Sequence, residues 1–287
     1  MRRKQRALAL ALLVVMAALL ADIWYVARGE SGCRLPVLMY HHFAQESPYG
    51  TIVSFDKFRE QMTAVKEAGY HAVTIPQIID YVKNETPLPD KPVLITMDDG
   101  YTSNLTDAAP VLEELGLRAT VFVIGVNEGE TIYVHNGEPL SPPRFSYEEA
   151  APWVEKGIID VQSHTFDMHQ LISYGYGGRD GMMPMDGESG ADYRAALLAD
   201  LERFRQRRAG RASTDLIALA FPFGYYSREM DDVLEAAGIA ATFTIDERVN
   251  RLIPHNDRTL RMMGRFNVTE DWSGEELVDR LNWCTGN

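Results

Sequence analysis

Short apolar runs recur along the chain, and each is long enough for one β-strand and ends at polar residues or glycine. Runs without charged residues are typical of strands that helices cover on both faces. The run from Val93 to Met97 is the clearest, because it ends abruptly at Asp98, Asp99 and Gly100. By the same pattern, strands are predicted at residues 36–40, 72–74, 93–97, 119–124, 158–163, 216–221, 241–244 and 262–267.

The segments between these runs carry apolar residues at helical spacing. Ser54 and Ser146 stand where N-cap residues are expected, and Gly69 and Gly116 stand where helices should end. Helices are predicted at residues 55–68, 76–83, 107–115, 146–156 and 191–208, with one more ending at residue 237 and a last one from residue 273. This alternation, with right-handed connections, predicts an α/β barrel of seven or eight units.

Two stretches interrupt the alternation. Residues 125–144 contain several Gly and Pro and no clear period, which predicts a surface excursion. Residues 175–190 are rich in glycine and contain three methionines. This second stretch is either a lid or groove wall beside a site, or a long loop without a function.

The start of the chain differs from the rest. An apolar run from Ala7 to Val26, broken only by Asp22, follows four basic residues. About 20 apolar residues can cross a bilayer, and basic residues before them favour a cytoplasmic amino end. Residues 1–32 are therefore predicted to form a basic tip, a transmembrane helix and a linker, with residues 33–287 as one extracytoplasmic domain at the cell membrane. A cleaved signal peptide, which would give a secreted protein, is the alternative.

The composition, with 46% hydrophobic and 24% charged residues, is that of an ordinary globular protein. A net charge of −13 repels phosphate backbones, which excludes nucleic acid as a favoured partner. The chain has two cysteines, Cys33 and Cys284, which stand near the two ends of the predicted domain. An oxidising compartment would permit a Cys33–Cys284 disulfide, and two free thiols are the alternative.

Two adjacent carboxylates, Asp98 and Asp99, follow the Val93 strand. The carboxyl ends of parallel strands are where α/β folds place their chemistry. Because neighbouring negative charges repel each other, we expect a cation to neutralise one carboxylate while the other stays free to take a proton. An Asp-Asp-Gly turn that only ends the strand is the alternative interpretation.

His164 and His169 follow another predicted strand and are five residues apart. On a helix this spacing would turn the two imidazoles away from each other, but in a tight loop they can converge on one point. Together with Asp99 they would form a set of two imidazoles and one carboxylate. Such a set suits Zn²⁺ and leaves coordination positions for water and substrate.

Three motifs in this order resemble those of the polysaccharide deacetylases, carbohydrate esterase family 4, also called the NodB-homology domain. They are Thr96-Met97-Asp98-Asp99-Gly100, His164-Thr165-Phe166-Asp167-Met168-His169 and Phe221-Pro222-Phe223-Gly224. The resemblance spans about residues 35–281. It implies a distorted (β/α)₇ barrel, a divalent metal that is usually zinc, and removal of acetyl groups from N-acetylated amino sugars.

The resemblance also implies roles for individual residues. Asp99, His164 and His169 would hold the metal, and Asp98 would be the general base. The backbone N–H of Phe223 would stabilise the oxyanion, with Pro222 and Tyr225 beside it in contact with the substrate.

Two positions depart from the family pattern. Leu219 stands where the third motif normally has the Arg that orients the base, and Arg265 is a possible replacement. The late region from Arg261 to Val268 has no His to act as general acid. The histidine spacing and the early Met39-Tyr40-His41 are instead similar to the poly-N-acetylglucosamine deacetylase branch, in which an early His can serve as the acid. His41 is therefore either the general acid or a strand-end His that only packs.

The leading hypothesis is a membrane-anchored, metal-dependent hydrolase that removes acetyl groups from N-acetylglucosamine units of a cell-wall or matrix polysaccharide. One alternative is an esterase of the same fold that removes O-acetyl groups from xylan or another glycan. The other is a carbohydrate-binding domain without activity, for which the Leu219 departure is the best argument.

Overall fold

The computed structural model describes residue 16 and residues 32–45, 51–129, 133–135, 138–175 and 178–286. Apart from residue 16, the predicted transmembrane helix lies outside these ranges. Among the helices that can be described, none combines the length and the apolar character needed to cross a membrane.

The described strands alternate with helices along most of the chain, as the sequence predicted. The strands are β1 Cys33–Leu35, β2 Val37–Tyr40, β3 His42–Phe43, β4 Ile52–Val53, β5 His71–Ala72, β6 Pro92–Asp99, β7 Ala119–Val123, β8 Tyr133–His135, β9 Glu138–Ser141, β10 Ile159–Ser163, β11 Ala218–Ala220, β12 Ala241–Phe243, β13 Asn250–Leu252 and β14 Phe266–Asn267. The helices are α1 Phe55–Glu67, α2 Ile75–Asn84, α3 Ala109–Leu115, α4 Tyr147–Glu155, α5 Gly190–Arg208, α6 Arg228–Ala236 and α7 Gly274–Thr285.

Several helix starts follow directly from local sequence. The hydroxyls of Ser54 and Ser146 accept hydrogen bonds from backbone N–H groups of α1 and α4, as predicted for N-caps. Thr74 and Ser273 form capping boxes with Gln77 and Glu276 at the starts of α2 and α7. These caps fix the residue at which each helix begins.

One parallel sheet forms the centre of the fold, with strand order β12-β11-β10-β7-β6-β2-β14 and β5 paired to the start of β6. All of its ladders are parallel. β12 meets the segment before β14 at a bridge between Phe243 and Met263, where Met263 N donates to Thr242 O at 2.7 Å. The sheet is therefore an incomplete barrel.

The predicted strand at residues 262–267 is wrong in its first half. Met263 makes only the closing bridge, and the regular strand is confined to Phe266–Asn267. Gly264 lies between them where a Cβ would come within 2.4 Å of Asp246 O and still closer to the Arg248 side chain. The close approach of that loop bends the chain and prevents a continuous strand.

Apolar side chains fill both faces of the sheet. Leu38 and Tyr40 of β2 pack outward with Phe58 of α1, whereas Val37 belongs to a separate cluster with Phe122. This alternation follows from the two-residue period of a strand. Polar residues at the carboxyl ends of the strands therefore have fixed directions, which position the site.

Of the two alternatives for the cysteines, the structure has the free thiols, since neither Cys33 nor Cys284 forms a disulfide. Cys33 packs against the cluster that contains Val37, whereas Cys284 is buried in the cluster that contains Phe58. The two thiols thus belong to different parts of the core although their elements touch. Burial raises the pKa of each thiol to about 11.

Three pairings were not predicted. β13 pairs antiparallel with β1, β3 pairs with β4, and β8 and β9 form a hairpin within the predicted surface excursion. All of these strands have two to four residues. Such lengths are too short to show a strand period in the sequence.

A buried ion pair anchors the chain just before the closing bridge, and its removal should be costly. Arg261 Nη2 donates to Asp231 Oδ1 at 2.7 Å, and both side chains are only 4% exposed. We expect Asp231→Ala to lower the free energy of unfolding by about 3–5 kcal/mol, because it leaves a buried guanidinium without a counter-charge. Urea denaturation measures this loss.

Glu114→Ala is the matched control, since it removes the exposed pair between Glu114 and Arg59. That variant should lose less than about 1 kcal/mol. Equal losses in the two variants would contradict the structural role given to the Arg261–Asp231 pair.

Candidate metal centre and active site

The predicted site residues follow parallel strands and therefore meet at one edge of the sheet. Asp98 and Asp99 end β6, His164 follows β10, and Phe223 follows β11. His41 follows β2, which pairs with β6 in register. The carboxyl ends of these strands thus bring together residues that are far apart in sequence.

Asp99, His164 and His169 lie close enough to hold one metal ion. Their ligand atoms are all within 4.8 Å of one another. Asp99 Oδ1 lies 3.3 Å from His169 Nε2 and 3.6 Å from His164 Nε2. This oxygen is buried and has no hydrogen-bond partner among the described residues, which fits an atom that binds an ion or a water molecule.

The tautomer of His164 also suits a ligand. Its Nδ1 lies 2.8 Å from the Ala220 carbonyl oxygen, to which it donates. This hydrogen bond leaves the Nε2 lone pair directed at Asp99 Oδ1. A backbone acceptor on the second ring nitrogen is typical of metal-binding histidines.

The electrostatics of Asp99 and His169 keep these two residues in the forms that bind cations. Burial would raise the pKa of Asp99, but the charges of His169, His164, His41 and Arg144 outweigh it and hold this pKa well below its usual range. Burial lowers the pKa of His169 to about 4. At neutral pH the carboxylate is therefore ionised and the His169 ring is neutral.

Asp98 is held by Arg265 in a two-point ion pair. Arg265 Nη1 and Nη2 donate to the two Asp98 carboxylate oxygens, each at 2.7 Å, and Arg265 is fully buried. Burial would raise the pKa of Asp98, but the charge and hydrogen bonds of Arg265, with the charges of His164 and His41, lower it. The Asp98 carboxylate is thus ionised and oriented, and its Oδ2 lies 3.9 Å from His164 Nε2.

Leu219 makes no polar contact with Asp98. It is buried in the apolar cluster with Phe221 and Leu201. Arg265 reaches Asp98 from the segment before β14 and also donates from Nε to Thr244 O at 3.0 Å. The guanidinium at this site therefore comes from the segment before β14, and not from the Leu219 position in β11 that the resemblance implies.

His41 is half-buried, and its Nδ1 is buried without a hydrogen-bond partner in the described ranges. Its charge contributes to lowering the pKa of both Asp98 and Asp99, so the ring is near the two carboxylates. Asn104 Nδ2 donates to the His41 carbonyl oxygen at 2.7 Å and fixes the backbone there. The side chain thus belongs to the same site.

Two further histidines, His42 and His255, make other contacts. His42 Nδ1 is 2.8 Å from Ser103 Oγ, and its ring packs 4.8 Å from that of Tyr101. His255 Nε2 forms an exposed ion pair with Glu85 at 2.9 Å. The alternation of side chains after β2 accounts for the different environments of His41 and His42.

Three site motifs contain a residue in the left-handed region of backbone conformation. The φ angles are 72° at Asp99, 70° at Thr165 and 56° at Phe223. Non-glycine residues adopt such angles at a cost, and active sites are among the places where they cluster. Phe223 lies in the turn Pro222–Gly224 with its ring 4.3 Å from that of His169.

Pro222 is buried, whereas Tyr225 is 44% exposed at the same turn. The turn therefore forms a wall beside His169, and the Tyr225 ring is its exposed part.

Asp200 of α5 holds the loop between His164 and His169, and nothing in the sequence pointed to it. Its carboxylate oxygens accept hydrogen bonds from the backbone N–H groups of Phe166 at 2.8 Å and Asp167 at 2.9 Å. Asp200 is 2% exposed. This buried acceptor fixes the backbone that carries the second imidazole.

Arg144 and Tyr101 were also missed. Arg144 Nε donates to the Asp99 carbonyl oxygen at 2.9 Å, and its guanidinium lies 3.7 Å from the Tyr101 ring centroid. Burial, followed by the charge of Asp99, raises the pKa of Tyr101. The phenol is therefore protonated and can donate to an acceptor beside Asp99.

Removing the Asp200 carboxylate should weaken metal binding without changing a ligand. In Asp200→Ala the amides of Phe166 and Asp167 lose their acceptors, and we expect the affinity for Zn²⁺ to fall about 10- to 100-fold. Competition with a chromophoric chelator measures this change. Glu202→Ala, an exposed position on the same helix, is the control, and equal affinities in both variants would contradict the role of Asp200.

Comparison with known proteins agrees with the geometry. The family model described as polysaccharide deacetylase matches residues 85–245, which include Asp98, Asp99, His164, His169 and Phe223. YxkH of Bacillus subtilis (strain 168), whose name places it among the polysaccharide deacetylases, is 27% identical over 85% of this chain and 75% of its own length.

The poly-beta-1,6-N-acetyl-D-glucosamine N-deacetylase of Escherichia coli (strain K12) is 24% identical over 66% of this chain. The chain spans only 30% of the length of that enzyme. Among solved structures, IcaB from Ammonifex degensii is 26% identical, with a TM-score of 0.70 over 88% of this chain and 98% of that one. The chain therefore belongs to the polysaccharide deacetylase family and is a deacetylase hydrolase.

Proposed function

We propose that the protein is a metal-dependent deacetylase that acts on N-acetylglucosamine units of a cell-wall or matrix polysaccharide. The observation that carries this proposal is the cluster of Asp99, His164 and His169 with the oriented carboxylate of Asp98 beside it. The similarity to a relative named for poly-beta-1,6-N-acetyl-D-glucosamine supports the choice of sugar.

In this proposal Asp99, His164 and His169 hold a divalent ion, with zinc as the best fit to two imidazoles and one carboxylate. The unpartnered Asp99 Oδ1 supports this assignment. A bound ion would lower the pKa of a water molecule and polarise the acetyl carbonyl.

Asp98 acts as the general base and takes the proton of the attacking water. The bidentate contact with Arg265 keeps both carboxylate oxygens in place and keeps the carboxylate ionised until it accepts the proton. Arg265 therefore positions the base, as the family's third-motif Arg would, and does not itself touch the substrate.

His41 donates a proton to the leaving amine. An amine anion is a very poor leaving group, so amide cleavage needs an acid on the nitrogen side. The buried, unpartnered Nδ1 of His41 and its proximity to Asp98 and Asp99 support this role.

The turn after β11 binds the reacting acetyl group. The backbone N–H of Phe223 stabilises the oxyanion, and the left-handed conformation at this residue supports a specialised backbone direction there. The exposed Tyr225 forms the neighbouring surface, on which the sugar ring rests, and the buried Pro222 supports the turn.

The role of Asp98 separates an enzyme from a binding domain. We expect the Asp98→Asn variant to retain bound zinc. Its turnover should fall about 100- to 10,000-fold, because the amide cannot accept the proton. Metal analysis and acetate release from chitin oligomers, peptidoglycan and acetylxylan measure the two properties in parallel.

Each alternative gives a different result in that experiment. A wild-type protein that releases no acetate from any of the three glycans would be the carbohydrate-binding domain. Turnover confined to acetylxylan would identify the O-acetyl esterase. Full activity in Asp98→Asn would refute the assignment of the base.

The role of His41 can be tested by comparing substrates with different leaving groups. We expect His41→Ala to lower turnover of an N-acetylglucosamine oligomer about 100-fold. Hydrolysis of an aryl acetate should fall much less, because an aryloxide leaves without being protonated. His42→Ala is the matched control, and an equal loss on both substrates in His41→Ala would contradict the acid role.

A further inference from the structure

A cleft on the outer side of α7 has no part in the mechanism proposed above. Its volume is about 530 Å³, and it is lined by Phe266, Trp272, Glu276, Asp279, Arg280 and Trp283. Arg265 and Phe266 are adjacent in sequence, and adjacent residues of an extended chain point to opposite sides. Since Arg265 binds Asp98 and Phe266 packs with the α7 side of the core, the cleft is separate from the metal centre.

The floor of the cleft is aromatic and held in place. Trp272 packs against the core, and the Arg280 guanidinium lies 4.2 Å from its ring centroid. Arg280 also pairs with Glu247 at 3.2 Å, and both of these side chains are exposed. The Arg280 charge is therefore already paired.

Trp283 is the largest exposed apolar side chain of this surface, at 72% exposure. Leu277, Leu281 and Cys284 of the same helix are buried, so α7 is already packed on its inner face. An indole left open beside a polar-rimmed cleft marks a binding surface. A flat apolar ring suits the C–H face of a sugar.

The rim of the cleft is acidic. Glu276 uses its Oε2 to accept hydrogen bonds from Ser273, the N-cap of α7. Asp279 is exposed and has no hydrogen-bond or ion-pair partner in the described part of the chain. With a net chain charge of −13, this rim favours a cation and repels phosphate polymers and anionic lipids.

We infer that this cleft binds an amine-bearing sugar unit of the polysaccharide, at a distance from the unit being deacetylated. The inference rests on the proposed function, because deacetylation exposes an amine that carries a positive charge near neutral pH. Trp283 stacks on the sugar ring, and Asp279 pairs with the ammonium group. The cleft thus holds the enzyme on chains that it has already modified.

Binding of soluble chitosan, a polymer of glucosamine with some N-acetyl groups, tests this inference by affinity electrophoresis. Trp283→Ala and Asp279→Asn should each weaken binding about tenfold. The Asp279→Asn loss should be smaller at high salt and absent with fully acetylated chitin oligomers. Aryl acetate hydrolysis should be unchanged in both variants, since neither residue belongs to the active site.

Leu198→Ala, which removes a partly exposed apolar side chain from α5, is the control. Chitosan affinities equal to wild type in both cleft variants would overturn the inference. A Trp283→Ala protein that loses binding to phosphatidylglycerol vesicles but not to chitosan would make the cleft a membrane contact and would also overturn it. Chitosan binding that depends on Trp283 in a protein inactive on every acetylated glycan would support the cleft and reject only the proposed function.

Discussion

The buried pair between Arg265 and Asp98 is the interaction on which the site and the closure of the sheet both depend. Two buried charges cost several kcal/mol to desolvate, and only good geometry offsets that cost. Here two hydrogen bonds of 2.7 Å join the charges, and the same guanidinium also donates to Thr244 O. One side chain thus links β6 to the segment between β12 and β14 and fixes the carboxylate beside Asp99.

The sequence predicted the cluster of Asp99, His164 and His169 because its signal is local. Asp99 ends an apolar run, and His164 and His169 follow another, so strand ends and spacing bring them to one edge. The family match at residues 85–245 includes these residues but neither His41 nor Arg265. The positions of those two side chains depend on the tertiary fold. The sequence suggested Arg265 only because Leu219 stands where the family has an Arg, and His41 only because the late histidine is missing.

Other features gave no sequence signal at all. Asp200 acts through hydrogen bonds to the backbone of a distant loop, and an Asp within a charged helix is typical of a solvated face. Cys33 and Cys284 lie on elements that touch, as a disulfide between them would require. Core packing, however, sets the direction of each thiol. Side-chain direction in short irregular segments cannot be read from periodicity.

The long separation between partners also bears on the order of folding. Asp98 and Arg265 are 167 residues apart, and closing so long a loop costs entropy before the contact repays it. A nascent chain that has emerged through β11 already contains Asp99, His164 and His169, and also Arg144, which donates to the Asp99 carbonyl oxygen. It does not yet contain Arg265, so Asp98 lacks its two-point ion pair. The catalytic pocket can therefore form only late, after synthesis has nearly reached the last helix.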